Sequence, residues 1–227
     1  MPAMHLSAVI PALNEGPNIA AAVAAARGAG FDEVLVVDGG STDDTIAQAA
    51  AADRVLASPP GRAVQQNLGA THAAGDVLCF LHADCRPHPD SGRAIRGALA
   101  DARVIGGCFT QRIDAAGWPY RLLEWGNRQR VLWLRRAYGD QGIFLRREVF
   151  ERVGRFPEWR LMEDVELSRR LRGQGRFVVL PTPLLVSARR WQKRGILRQT
   201  LHNWSLLARF ACGASPDTLA ESYRAVR

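Results

Sequence analysis

Short apolar runs alternate with longer mixed stretches through the first hundred residues. Residues 6–10, 33–37, 54–57 and 77–81 carry the short runs and are bounded by turn formers, the pattern of buried strands. Pro11 has no N–H for a ladder, so the first strand is expected to leave the sheet there. Gly16, Pro17 and Asn18 open an alanine-rich helix that runs to Arg27 and stops at Gly28. Further helices are expected over 46–52 and 62–73, the latter with Val64, Leu68 and Ala73 turned inward. Strands and helices in alternation, with short connections, predict an α/β domain with a mostly parallel, doubly wound central sheet.

The polar residues that end the strands carry the candidate chemistry. Val77-Leu78-Cys79-Phe80-Leu81 stops at His82-Ala83-Asp84. A carboxylate just past the carboxyl end of a central strand stands where open α/β sheets bind ligands, which makes Asp84 a candidate metal-binding or catalytic group. Asp38 ends its strand in the same way and suits a base edge or a ribose hydroxyl. The residues after it, Ser41 to Asp44, have a structural reading: Ser41 or Thr42 as a helix cap, Asp43 and Asp44 in a positive first turn. Arg62, Gln65 and Gln66 cluster at a helix start. Either they are a solvated end, or Arg62 reaches a ligand phosphate or base. No G-x-G-x-x-G or G-x-x-x-x-G-K-[ST] occurs, which disfavours a dinucleotide fold or a P-loop enzyme.

In the second half a helix is expected over 87–100 and a strand over 104–110, whose Gly106 and Gly107 would let a ligand approach. Residues 118–134 are rich in Trp and Arg. They read as a helix covering the core, with an acceptor pocket or a lipid-facing helix as the other readings. Residues 138–147 carry a polar loop into a strand, and Gly139, Asp140 and Gln141 are placed to line an acceptor site. A short helix is expected over 147–153, followed by a turn. In the helix over 162–171, Leu167 and Leu171 face the core, and Glu163 and Asp164 fall in the first turn, where the dipole favours carboxylates. Two short strands are expected at 177–180 and 184–188. Ile196, Leu197, Leu201, Trp204, Leu207, Ala208 and Ala211 keep helical spacing, and Lys193, Arg194, Arg198 and Arg209 lie around them. Such a helix can lie on a membrane, pack on a second subunit or close the domain, and spacing does not separate these. A last short helix follows from Ser215.

The composition narrows the class. The 227 residues suffice for one full core with a small appendage. No apolar run approaches the roughly 20 residues that span a bilayer, and the first five residues lack the features of a secretory signal. The four cysteines form no C-x-x-C pair, which argues against a structural zinc and suits a reducing cytoplasm. The net charge of +8 points to anionic partners, although an arginine-rich composition alone produces the same figure.

Four stretches together are more specific than any of these. Ala8-Val9-Ile10-Pro11-Ala12-Leu13-Asn14-Glu15, Val37-Asp38-Gly39-Gly40-Ser41-Thr42-Asp43-Asp44-Thr45, Gln66-Asn67-Leu68-Gly69-Ala70 with Ala74-Gly75-Asp76, and Leu81-His82-Ala83-Asp84 resemble, in order and spacing, the successive signatures of family 2 glycosyltransferases. The nearest likeness within that family is a small bacterial group often encoded beside radical-SAM genes. The resemblance implies the GT-A fold over residues 1–190, a helical extension over 191–227, and sugar transfer from a nucleotide-sugar donor. It implies that Pro11, Leu13, Glu15 and Asp38 hold base and ribose, that Gln66 belongs to the same donor site, and that Arg62 adds a base or phosphate contact. Asp84 would be the metal-binding member of the D-x-D motif, with Mg²⁺ or Mn²⁺ as the cofactor. His82 stands at its first position, which in the family contacts the ribose or the metal's water shell. Glu163-Asp164 is similar to the family's Glu-Asp motif, implying Asp164 as the general base of an inverting transfer. Arg190-Trp191 matches the end of the Q-x-x-R-W motif of processive relatives. Ser187 replaces its Gln, so a non-processive enzyme with Arg190 on the diphosphate is expected.

The expected partners are a nucleotide-sugar donor and a hydroxyl acceptor, lipid-linked acceptors included, with no nucleic acid. A membrane surface and a second copy stay open. The expected location is the cytoplasm, with the inner face of the cell membrane as the open alternative. The rival functions are a non-catalytic nucleotide-sugar sensor, motivated by His82, and a basic nucleic-acid-binding protein that lacks a recognisable module. A nucleotidyltransferase would need a glycine- and basic-rich loop after the first strand, and residues 11–15 are not one.

Overall fold

The computed structural model describes residues 4–224. Part of the segment read as lacking a secretory signal, and the last three residues of the expected final helix, lie outside the described residues. Eight strands form one sheet in the order β3-β2-β1-β4-β7-β6-β8-β5. They are β1 (Leu6–Ala12), β2 (Glu33–Asp38), β3 (Arg54–Ala57), β4 (Val77–Phe80), β5 (Cys85–Pro87), β6 (Val104–Asp114), β7 (Ile143–Arg146) and β8 (Arg176–Ser187). β3, β2, β1 and β4 run parallel, β7 is antiparallel to both β4 and β6, and β8 runs parallel to β6 and antiparallel to β5.

The period-2 alternation of the strands builds two cores, one on each face. Leu6, Ala8, Ile10, Val34, Val36, Val77 and Cys79 point to one side, against Ile19, Val23 and Ala26 of helix α1 (Gly16–Gly28). After the one-turn α2 (Thr45–Gln48) and α3 (Arg62–His72) comes α4 (Ser91–Leu99), which adds Ile95 and Leu99 to that side. Val9, Leu35, Val37, Leu78 and Phe80 point to the other, against Ala63 and Ala70 of α3. Helix α5 (Trp118–Leu134) contributes Val131 there, α6 (Arg147–Arg152) contributes Val149 and Phe150, and α7 (Glu163–Arg170) contributes Leu167. Phe80 meets Phe150 and Phe156 with ring centroids 5.0 and 4.9 Å apart, closing this second core. Helices α8 (Arg189–Arg194), α9 (Ile196–Ala211) and α10 (Pro216–Arg224) end the chain, and Leu206 and Leu219 pack there on Met162 and Val165.

Several sequence expectations change. The first strand continues through Pro11, which pairs with Val37. The Val9 carbonyl accepts from Leu81 on the β4 side, so Pro11, two residues on, turns its missing N–H to that same side, past the last β4 pair. Helix α2 is only one turn, and Ser41 and Thr42 do not cap it: Ser41 Oγ accepts from the Asn14 N–H and the Thr42 N–H donates to Asn14 Oδ1. On α3, Val64 and Leu68 are only half-buried. The fully inward positions are Ala63, Gln65, Gln66, Gly69 and Ala70, so small side chains let the helix sit close to β1. Pro87 ends strand β5 rather than starting a helix. The two strands expected at 177–188 are the single β8, where a bulge takes up Pro181 between the Phe109–Leu180 and Thr110–Pro183 pairs. Gly106 and Gly107 serve the sheet, not a ligand: a Cβ at either would lie 2.3 Å from the carbonyl oxygen of Phe144 or Val178. Helix α5 turns only Glu124 and Val131 fully inward and leaves most of its Trp and Leu residues exposed.

Candidate active site

The carboxyl ends of β1, β2 and β4 form one rim. β2 and β4 flank β1, so the axes carrying Asp38 and the His82-Ala83-Asp84 loop are about 10 Å apart. Asp38 Oδ2 accepts the Gly40 and Ser41 N–H groups, both at 2.9 Å, while its buried Oδ1 has no hydrogen-bond partner among the described residues. Gln65 ties this end together, its Nε2 donating to the carbonyls of Ala12 and Val37, each at 2.7 Å. Gln66 is buried beside it, its Oε1 also without a partner. Pro11 and Leu13 lie where β1 leaves the sheet, and the Glu15 carboxylate accepts from Asn18 Nδ2.

Beyond β4 the rim opens into a cavity of about 170 Å³. Arg62, His82, Asp84, Glu163, Asp164 and Arg190 all line it. Six of the eleven residues nominated for donor, metal or catalytic roles, drawn from four segments, therefore meet in one place, together with Asp140, which was expected to line an acceptor site. Pro11, Leu13, Glu15, Asp38 and Gln66 do not line it; they belong to the adjoining strand ends.

Asp164 is the best-defined group in the cavity. Met162, in the left-handed region at φ 68°, turns the chain so that α7 begins at Glu163 and aims its first turn inward. Asp164 Oδ2 accepts the Gly139 N–H at 2.7 Å and Oδ1 accepts its neighbour Val165 N–H at 2.7 Å. Burial and the adjacent Glu163 charge raise its pKa to about 6, against the opposing pull of those N–H groups and Arg62. Gly139 keeps the backbone close to both groups: a Cβ there would lie 2.7 Å from His82 Nε2, so the imidazole would have to shift, and 3.5 Å from Asp164 Oδ2. Glu163 is nearly fully buried and paired to Arg62 Nη1 at 3.1 Å. Burial works against the Arg62 charge, yet Glu163, Asp164 and Asp140 around it keep the guanidinium firmly protonated.

Asp140 is a further carboxylate in the cavity, in the short 3₁₀ turn Gly139–Gln141 before β7. Its Oδ2 accepts from Gln111 Nε2 at 2.8 Å and its Oδ1 is buried without a partner among the described residues. Burial holds its pKa above the usual carboxylate range, partly offset by Arg130. Arg190 is bonded to the Tyr223 hydroxyl, so α8 and α10 brace each other at the mouth. Asn203, Leu206, Leu207 and Tyr223 complete that wall. Sequence reasoning missed these four as site residues, because nothing in their spacing says which element α9 and α10 pack against.

His82, Asp84 and Cys85 offer donor atoms within 4.8 Å of one another. Burial, followed by the charges of Asp84 and Asp140, pushes the Cys85 thiol well above its ordinary range, which makes it the least ready of the three to bind a cation. An imidazole and a carboxylate remain. That pair fits a divalent cation, Mn²⁺ more readily than the oxygen-preferring Mg²⁺.

The model of the family described as glycosyl transferase family 2 matches residues 7–156. The chain belongs to that family. No curated protein matches it. Among solved structures, this family 2 chain is similar to a mannosyltransferase from Pyrobaculum calidifontis in complex with GDP-Man and Mn²⁺, at 21% identity and a TM-score of 0.66, over 89% of this chain and 60% of that one. It is similar to glucosyl-3-phosphoglycerate synthase from Mycobacterium tuberculosis in complex with Mn²⁺, UDP and glucosyl-3-phosphoglycerate, at 22% identity and a TM-score of 0.61, over 79% and 70%. A structure described only as a mycobacterial protein matches at 24% identity and a TM-score of 0.58, over 81% and 65%. The family 2 chain thus spans 60 to 70% of the length of these structures. Its own fold is the GT-A fold, as the resemblance implied. No helix among the described residues is long and apolar enough to cross a membrane.

Proposed function

We propose that the chain transfers a hexose from a nucleoside-diphosphate sugar to an acceptor hydroxyl with inversion at the anomeric carbon, Asp164 being the general base. The observation that carries this reading is one cavity holding a buried carboxylate with a raised pKa, a carboxylate–imidazole pair and two arginines, at the carboxyl ends of the parallel strands. Asp164 takes the acceptor proton as the hydroxyl oxygen attacks C1. A single displacement needs one base and no enzyme nucleophile. The two N–H groups that Asp164 accepts fix its orientation before the acceptor arrives. Glu163, held by Arg62, keeps the base's proton affinity high enough to be useful. Asp38 Oδ1 takes a hydroxyl or base N–H of the nucleoside, with Pro11, Leu13, Glu15 and Gln66 around it, and Arg190 meets the diphosphate from the opposite wall.

His82 and Asp84 would hold Mn²⁺ or Mg²⁺, which when bound offsets the charge that grows on the departing diphosphate. Two of the similar structures contain UDP or GDP-Man, so uridine and guanosine donors are the first to try. Leu206, Leu207 and Trp191 line the side away from the strands, which favours an acceptor with an apolar portion, lipid-linked ones included. The segment from Trp191 to Tyr223 then acts as the acceptor-side wall of the transferase. All four cysteines are free, in keeping with a cytoplasmic enzyme.

His82 at the first D-x-D position motivates the second reading, a nucleotide-sugar sensor without turnover. A thermal-shift screen of UDP-, GDP- and dTDP-sugars, with and without Mn²⁺, tests both readings. The transferase requires a metal-dependent rise in melting temperature with one donor and release of its nucleoside diphosphate when an acceptor is added. Stabilisation with no release under any acceptor gives the sensor. No stabilisation by any donor, with salt-sensitive binding to oligonucleotides, removes both.

A further inference from the structure

Nine of the twelve large hydrophobic side chains exposed among the described residues sit on just two helices, α5 and α9. On α5 they are not scattered. At about 100° per residue, Trp118, Leu122, Trp125, Leu132 and Trp133 fall within an arc of about 100°. An apolar stripe of that width ordinarily turns to the core. Here Glu124 and Val131 turn inward instead, while Trp118, Trp125 and Trp133 are 74, 61 and 80% exposed. Helix α9 repeats the spacing with Leu197, Leu201 and Trp204, also exposed, and buries Gln199 and Leu206 on the other face.

Charge identifies the occupant. Residues 115–139 and 189–216 carry eleven of the 30 basic residues and only one of the 22 acidic ones. That acidic residue, Glu124, is buried and paired with Arg112 and Arg121, so it does not offset the field outside. We infer that α5 and α9 dock the protein on an anionic lipid surface, with the Trp rings at headgroup depth and the arginines on lipid phosphates. A second copy of the chain fits worse, since a two-fold interface would set each basic rim against its own image. Nucleic acid satisfies the charge but leaves the leucine positions uncovered.

Both helices come up to the cavity. Leu206 and Leu207 of α9 line it, and so does Tyr138, four residues past α5, whose ring lies 3.5 Å beneath the Arg130 guanidinium of that helix. Docking therefore brings the cavity close to the lipid–water boundary. The inference rests on exposed residues outside the cavity and stands or falls apart from sugar transfer.

The test is sedimentation of the full chain with vesicles of phosphatidylcholine alone or mixed with phosphatidylglycerol. Retention by the mixed vesicles only, loss of retention in high salt, and a blue shift of tryptophan emission are expected. The Trp118→Ser/Trp125→Ser/Trp133→Ser variant should sediment at least about ten-fold less while keeping its melting temperature and its nucleoside-diphosphate binding. Lys193→Glu/Arg194→Glu/Arg198→Glu should weaken retention with no change in the tryptophans. Failure of the wild-type chain to bind either vesicle overturns the inference. So does a solution dimer that the tryptophan variant converts to a monomer, or oligonucleotide binding that this variant abolishes without any vesicle binding.

Discussion

The two ends of the site's rim are built on opposite electrostatic plans. At the β1–β2 end, the paired polar atoms meet neutral donors: Asp38 Oδ2 two backbone N–H groups, and the Ala12 and Val37 carbonyls one Gln65 amide. At the cavity end, four carboxylates share a small volume with two arginines, and the pKa values of Asp164 and Asp140 are raised. The first plan suits a ligand recognised by shape and hydrogen bonds, and the second suits proton transfer. Changes at the cavity end should therefore alter chemistry, and changes at the strand end should alter binding and stability.

The largest effect is expected from Asp164→Asn. Loss of the base should slow transfer by between about 10² and 10⁴-fold with little change in donor binding, read by single-turnover assay and titration with nucleoside diphosphate. The same variant should be more stable than wild type at neutral pH. A folded-state pKa near 6 instead of 3.8 makes the ionised carboxylate cost roughly 3 kcal/mol. That stability is present below pH 3.8 and lost as pH rises through about 6, so the gain in melting temperature should appear at pH 7.5 and vanish in acid. Asp84→Asn comes next. It should weaken metal-dependent nucleotide binding and lower kcat by about 10²–10³-fold, with partial recovery at higher Mn²⁺. The smallest effect on chemistry belongs to Gln65→Ala. It removes the amide shared by the Val37 carbonyl and the Ala12 carbonyl, the latter keeping the Gly39 N–H, and should cost about 1 kcal/mol of stability in denaturant unfolding, leaving the pH dependence of transfer unchanged.

The two ends also differ in how far the sequence discloses them. β1 to β4 are joined by local β–α–β crossovers, and each strand announces itself by an apolar run ending in a polar residue. β5 does not: Cys85 pairs with Val186, a hundred positions away, and only that distant partner makes three residues a strand. β8 reads as two strands because its prolines suggest a break, whereas a bulge accommodates them. Arg62, Asp84 and Asp164 were nominated by motif, and the fold brings them to one cavity. Asp140's buried position depends on Gln111 and Asn127 of other elements, which no local pattern records. For α5 and α9, periodicity gave the apolar face but not its direction, since a core and an outside partner demand the same spacing.

The most direct measurement of the central claim is the pH dependence of kcat/KM for sugar transfer, wild type beside Glu163→Gln. Burial and the Glu163 charge hold the Asp164 pKa up, so the wild-type rate should climb with unit slope to a plateau above about pH 6. Replacing the Glu163 charge by an amide should carry that rise to lower pH. A rate flat from pH 5 to 8, or a rise that stays in place in Glu163→Gln, would contradict Asp164 as the base.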